Sequence, residues 1–369
     1  RVLYVIATLD PAGAERQMAH LCRRLPRGEF EPAVCALTRG GPLEEDLRRA
    51  AIPVHVLHKR GRWDLSVLPR LVALIRRFRP DLVHTWLPTA NTLGRAAALA
   101  AGTRVIIASE RAADVWKGPL RRATDRALTR PTARILTNAY AVRRFLVERI
   151  GLPEKKIEVI HNGFDLVEFD DAAARPLQGP VPESADAVVI GAVARLEPQK
   201  GFPWLIEAAA LLRRQKAPPF QVWIAGAGPE EDALRRLARA SGVAEQVRFL
   251  GLRLDVPALM GRFDLLALPS LWEGLPNVVL EAMAARRAVA ATRVNGTPEA
   301  VEDGRTGLLI PPRDAPALAD ALAALLRDAP RRRALGEAGR QRVATEFSMT
   351  RMVERTTEVY RRTLAEAAQ

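Results

Sequence analysis

Short apolar runs, many of them β-branched, alternate along the chain with segments whose apolar positions recur every three or four residues. In the first half the runs cover residues 2–7, 31–37, 54–57, 82–84, 105–108, 135–137 and 158–160, with helical periodicity between them, as at 14–25 and 64–79. Continuous rather than alternating apolar character is what a strand buried on both faces requires. Strand and helix in this rhythm predict a parallel sheet covered on both sides. The pattern lapses over residues 166–186, where Asp170-Asp171, Arg175-Pro176 and Gly179-Pro180-Val181-Pro182 suit a linker. It restarts with runs at 187–193, 221–225, 247–250, 265–268, 288–291 and 307–310.

The expected fold class is therefore α/β, with two doubly wound, Rossmann-like domains facing across a cleft. The first spans 1–166, a linker 167–186, and the second 187–346. A last helix, 347–369, carries Met349, Met352, Val353, Val359, Tyr360 and Leu364 at helical spacing. Its pattern allows it to stay with the second domain or to cross back to the first.

Composition narrows the class. At 369 residues, 48% apolar and 27% charged, the chain is too apolar for disorder and long enough for two cores. No window reaches the ~18 uninterrupted apolar residues of a membrane span. The longest candidate, 96–109, is cut by Arg104. The start of the chain reads as a strand and a turn rather than a secretion signal, so a cytoplasmic protein is expected. Cys22 and Cys35 lack metal-ligand spacing and are expected as buried free thiols.

The net charge of +14 is uneven. Residues 1–180 hold 30 Lys and Arg against 19 Asp and Glu, and residues 181–369 hold 26 against 23. A basic first half, with pairs such as Arg23-Arg24, Arg121-Arg122 and Arg143-Arg144, suits an anionic partner: a lipid surface, a diphosphate-linked substrate or nucleic acid. A bias towards Arg accounts for the scarcity of Lys, only six residues, but not for the asymmetry.

Three stretches at predicted strand ends carry candidate chemistry. Ser270-Leu271-Trp272-Glu273-Gly274-Leu275-Pro276-Asn277 leads into a helix through Glu281. The amides of that helix N-terminus, near Asn277 and Val278, suit a phosphate. Glu273 and Glu281 suit the hydroxyls of a sugar and a ribose. The same residues suit an ordinary loop with a carboxylate complementing the helix dipole, and the stretch alone supports both. The loop holding Arg195 and Lys200 offers two cations to a departing diphosphate, or two solvated basic side chains. Gly226 and Gly228, after the run 221–225, allow close approach of a ligand.

Taken in order, these stretches resemble the retaining glycosyltransferases of the two-Rossmann-domain (GT-B) type, specifically glycosyltransferase family 4. The resemblance runs through most of the chain and includes Ala12-Gly13-Ala14-Glu15-Arg16, Asp81-Leu82-Val83-His84, His161-Asn162-Gly163-Phe164-Asp165, the Arg195–Lys200 loop, the Glu273 and Glu281 pair, and Asn295-Gly296-Thr297-Pro298-Glu299. It implies transfer from a nucleoside-diphosphate sugar, UDP favoured, to a lipid-linked or cell-envelope glycan, with retention, by a front-face mechanism, without metal or other cofactor. It assigns Arg195 and Lys200 to the diphosphate, Glu281 to the ribose, Glu273 to the transferred sugar, the amides of Asn277 and Val278 to the phosphates, and Gly13 and Gly226 to donor-lining loops. His84 is implied to lie near the sugar, while a lone strand-end histidine otherwise serves as an internal hydrogen-bonder. Two positions depart from the pattern: His84-Thr85-Trp86 stands where many members have His-x-His, and Ala12 where a second glycine is usual.

With the basic first half, the resemblance suggests a peripheral enzyme on the inner face of the cytoplasmic membrane. A nucleotide-sugar epimerase would need an acid/base pair that the five histidines do not suggest. A nucleic-acid-binding protein would need recognition motifs and stacking platforms, and with aromatics at 5% no nucleic-acid partner is expected.

Overall fold

The computed structural model describes residues 1–61, 64, 66–112, 118–184 and 186–369. Residue 65 of the expected helix 64–79 and residue 185 of the expected linker lie outside the described residues. The chain divides into two compact units, Arg1–Gly163 with Met349–Gln369, and Phe164–Ser348.

The first unit is built on seven strands: β1 (Val2–Thr8), β2 (Pro32–Arg39), β3 (Val54–Val56), β4 (Leu82–Trp86), β5 (Val105–Glu110), β6 (Arg134–Thr137) and β7 (Ile157–Val159). All pair in parallel in the order β3-β2-β1-β4-β5-β6-β7. The order reverses between β1 and β4, the topological switch point of a doubly wound sheet. Successive side chains alternate between faces: Val2, Tyr4 and Ile6 join one core, Leu3 and Val5 the other. Two buried faces explain why β1 reads as an unbroken apolar run. Cys22 and Cys35 are buried and free.

The helix Met349–Ala368 belongs to this first unit. Met349, Met352, Val353, Val359 and Tyr360 enter the same core as Val2 and Tyr4, and Arg361 grips Glu29 with two contacts of 2.7 and 2.8 Å. At Gly163 an added Cβ would come within 2.9 Å of Met349 and Met352 atoms, so the start of the helix lies directly on the chain where the unit ends.

The second unit has six parallel strands: β8 (Val188–Val193), β9 (Phe220–Ala225), β10 (Val247–Gly251), β11 (Leu265–Leu268), β12 (Ala288–Thr292) and β13 (Leu308–Ile310), in the order β10-β9-β8-β11-β12-β13. Its switch point falls between β8 and β11. Leu265 and Ala267 face one core and Leu266 and Leu268 the other.

The expected linker is corrected at its first half. Leu166–Ala173 is a helix, capped by the Asp165 carboxylate accepting from the Glu168 amide at 3.0 Å. Phe169 is buried in the second unit's core, and Arg340 binds both carboxylate oxygens of Asp170 at 2.9 and 2.6 Å. The acidic Asp170-Asp171 pair looked like linker because the arginine that answers it lies 170 residues away.

Candidate active site

The loops after β8 and β11 leave adjacent strands at the carboxyl edge of the second sheet, the edge where open α/β sheets bind ligands. Gly201 has φ +66°, and an added Cβ would stand 2.1 Å from the Pro269 carbonyl oxygen, so only glycine lets these loops touch here. Gln199 stitches them together: its carbonyl accepts from the Leu271 amide at 2.8 Å and its side-chain amide donates to the Trp272 carbonyl at 2.8 Å.

This contact brings together two charges 73 residues apart in sequence. Lys200 Nζ donates to Glu273 Oε1 at 2.6 Å, and Ser270 Oγ donates to the same oxygen at 2.7 Å. Only 17% of the Lys200 side chain and 9% of the Glu273 side chain remain exposed. The Glu273 amide donates to Asn295 Oδ1 at 3.3 Å, with Asn295 at φ +41°, a conformation asparagine tolerates better than most residues. Ser270, Gln199 and Asn295 are site-shaping residues that the sequence reading left without a role. The signal for Asn295 is a turn asparagine followed by glycine in a motif already singled out.

Arg195 sits on the same loop, but its side chain is 72% exposed and pairs with Glu197 at 2.8 Å. The expected pair of cations is thus one enclosed lysine and one outlying arginine. The helix Asn277–Ala284 starts directly after Pro276. The amides of Asn277 and Val278, in its first turn, have no carbonyl four residues back within the helix. Glu281 lies one turn on, half-buried, on the same side as Asn277. Gly226, at φ +147°, meets a neighbouring loop: an added Cβ would fall 1.9 Å from the Ala194 carbonyl oxygen. Loop-to-loop contact is by itself enough to demand glycine there.

In the first unit, Gly13 opens the helix Gly13–Arg24 that follows β1. Ala12 precedes it at φ −90° and ψ 174°, extended backbone open to any residue, so the absence of a second glycine imposes no strain. The expectation that His84 reaches the sugar is corrected. His84 is fully buried, with Nδ1 2.6 Å from the Tyr360 hydroxyl and Nε2 2.9 Å from Ser109 Oγ. Tyr360 in turn meets the Tyr4 hydroxyl at 3.0 Å. Burial first, and the positive charge of Arg111 second, push the imidazole well below its usual 6.5. With both nitrogens engaged inside the unit, His84 is an internal fastener between the sheet and the C-terminal helix.

Among the described residues no group of three or more His, Cys, Asp or Glu is arranged to hold a metal ion, and no helix is long and apolar enough to cross a membrane.

Comparison with known proteins gives this arrangement its family. Residues 11–168 match Glycosyltransferase Family 4, and residues 187–328 match Glycosyl transferases group 1. The chain is 31% identical to the lipopolysaccharide core biosynthesis glycosyltransferase LpsE of Rhizobium meliloti, covering 96% of each protein. The chain belongs to the family 4, group 1 glycosyltransferases. The transferase is also 32% identical to the D-inositol 3-phosphate glycosyltransferase of Salinispora tropica, across 93% of this chain and 70% of that one. Its fold matches HepE of Anabaena, solved in complex with UDP, at a TM-score of 0.82 with 22% identity over 98% of this chain and 99% of that chain. Both Rossmann-like units of the enzyme are those of the GT-B fold.

Proposed function

We propose that the enzyme transfers a hexosyl group from a UDP-sugar to a hydroxyl of a lipid-linked or cell-envelope glycan, with retention of anomeric configuration and without a metal ion. The observation that carries this reading is the enclosed Lys200–Glu273 pair beside the N-terminus of the helix Asn277–Ala284. A fixed ammonium and a helix N-terminus complement a diphosphate, and carboxylates at 273 and 281 can accept from sugar and ribose hydroxyls. On binding, the diphosphate competes with Glu273 for Lys200 and frees that carboxylate for the sugar. The bond from the anomeric carbon to the diphosphate oxygen breaks, and the acceptor oxygen bonds to the same face. Its proton passes to the departing phosphate oxygen, with Lys200 balancing the charge and Arg195 adding to the field at the loop.

The charge distribution supports an acceptor at a lipid surface. The first unit holds 33 Lys and Arg against 18 Asp and Glu, and the second 23 against 24. Leu120, 82% exposed, stands beside Arg121 and Arg122 on the helix Pro119–Thr129, the mixture of apolar and basic surface that suits an anionic interface. The LpsE relative, named for lipopolysaccharide core synthesis, supports an envelope acceptor, and the UDP complex of HepE supports the uracil base.

The test is the thermal midpoint with saturating UDP, GDP or ADP, each with and without a chelator. At one hundred times Kd a ligand of the native state adds about 2.7 kcal/mol. UDP should raise the midpoint with or without chelator, and Lys200→Ala should remove most of the gain. No shift with any nucleotide, or one that the chelator abolishes, overturns metal-free diphosphate binding. Binding to vesicles containing phosphatidylserine should weaken between 0.05 and 0.5 M salt, roughly as the Debye length shrinks; salt-independent binding removes the electrostatic docking.

A further inference from the structure

At the carboxyl edge of the first sheet, four neighbouring strands end side by side: β4 at Trp86, β5 just before Arg111, β6 just before Asn138, and β7 just before the segment 160–162. Arg111 is largely buried among them. Its guanidinium lies over the Trp86 ring, 4.7 Å from the centroid, and Nη2 donates to Asn162 Oδ1 at 2.6 Å. No carboxylate of the described residues is within ion-pairing distance of it. The contrast within the same unit is Arg95, more deeply buried, which holds Asp125 at 3.0 Å. Burial pushes the Arg111 guanidinium down to about 9, so at neutral pH it is still a cation, with no counter-charge beside it among the described residues.

Two further groups at this rim are unsatisfied. Trp86, 2% exposed, has an indole N–H with no acceptor, and Asn138, 3% exposed, has a side-chain oxygen with no donor. Buried polar atoms without partners are rare in folded proteins, and a bound group that is not part of the chain is one standing explanation. Among the described residues, a cation without an anion, a donor without an acceptor and an acceptor without a donor thus lie at the ends of neighbouring strands, and one oxyanion with a hydroxyl beside it would answer all three. Arg is the side chain suited to such a group, because its planar fork matches phosphate and carboxylate oxygens.

We propose that Arg111, stacked on Trp86 and steadied by Asn162, recognises a phosphate or carboxylate on the sugar acceptor, making the enzyme selective for anionic acceptors. This rests on the proposed function above, in which loops of the second unit hold the donor, and it assigns the acceptor to the first unit. Asn138 takes a hydroxyl adjacent to the anionic group, so that charge and neighbouring stereochemistry are read together.

The experiment uses the full chain with ¹⁵N-labelled tryptophan, the Trp86 indole resonance being assigned by its loss in Trp86→Phe. Inorganic phosphate, methyl phosphate and acetate are titrated separately, with UDP titrated on the same samples. The Trp86 resonance should move with an apparent Kd of roughly 1–10 mM, the range for a few charge-assisted hydrogen bonds to a small ion. It should move equally in Lys200→Met, about tenfold more weakly in Arg111→Lys, and not at all in Arg111→Met. Because Arg111→Met removes an enclosed charge that has no carboxylate partner among the described residues, it should melt no lower than wild type, and Arg111→Lys provides a second reading should it fail to fold. A response to methyl phosphate alone assigns a phosphorylated acceptor, and one to acetate alone a uronic-type acceptor; both support the proposal. Silence to all three anions, a response that survives in Arg111→Met, one lost in Lys200→Met, or one that UDP displaces from Trp86 overturns it. Failure of UDP to bind while the Trp86 response persists overturns the donor reading instead, leaving an anion site without that role.

Discussion

Lys200→Met tests whether the enclosed ion pair is the switch on which donor binding turns. In wild type, Glu273 Oε1 accepts from Lys200 at 2.6 Å and Ser270 at 2.7 Å while only 9% of its side chain sees water. Removing the ammonium leaves a nearly enclosed carboxylate with one hydroxyl partner. A charge-assisted hydrogen bond contributes about 1.5–3 kcal/mol, and the 17% exposure of Lys200 allows water to offset part of it. The expected loss is therefore ~1–2 kcal/mol, which for a unit of this size lowers the midpoint by about 2–8 °C. Glu273→Gln should lose less, and the double variant should recover part of the sum, leaving a coupling energy of roughly 1–2 kcal/mol. The assay is denaturant unfolding of wild type, both single variants and the double variant, each without and with saturating UDP. If the diphosphate takes Lys200 from Glu273, the coupling must shrink when UDP is bound. A coupling below ~0.3 kcal/mol without nucleotide, or one that UDP leaves unchanged, refutes the exchange of partners.

Three other perturbations probe the scaffold. Tyr360→Phe removes the hydroxyl shared by His84 and Tyr4 and leaves two buried polar groups short of a partner; thermal unfolding should show a loss of about 1–3 kcal/mol, with UDP affinity unchanged. Because buried His84 refuses a proton that the unfolded chain accepts, stability should fall as the pH drops below about 6.5, by up to ~1.4 kcal/mol per unit from this residue. His84→Gln should lack that part of the slope between pH 7.5 and 5.0 in urea unfolding, and an identical slope counts against a neutral buried imidazole. Gly226→Ala should cost about 1–3 kcal/mol, since its φ of +147° and the Ala194 carbonyl both oppose a Cβ. It should also weaken UDP binding in a calorimetric titration, because the displaced loop carries Arg195 and Lys200.

The GT-B architecture was legible because a strand buried on both faces has to be apolar at nearly every position, as in β1, β11 and β12, while partly buried edge strands such as β3 and β10 were found from the rhythm in which they recur. Amphipathic signals are weaker for an element answered by one distant partner. The helix Leu166–Ala173 passed for linker because its acidic face is neutralised by Arg340, and the C-terminal helix had apolar positions that fit either unit until Tyr360 met His84 and Tyr4. At the site, residue types could be named from motifs, yet their roles depended on neighbours. Glu273, read from its motif for the transferred sugar, also holds Lys200, and His84, read as lying near that sugar, is closed in by Ser109 and Tyr360. Arg111, by contrast, is one arginine among many in the sequence, and only its enclosure against Trp86 with no carboxylate beside it among the described residues sets it apart. Sequence alone determined which elements form and in what order, because periodicity and turn chemistry are local. Which charges are paired and which polar groups are left open was decided by the tertiary structure, because both depend on loops that the switch points of two sheets bring together from distant parts of the chain.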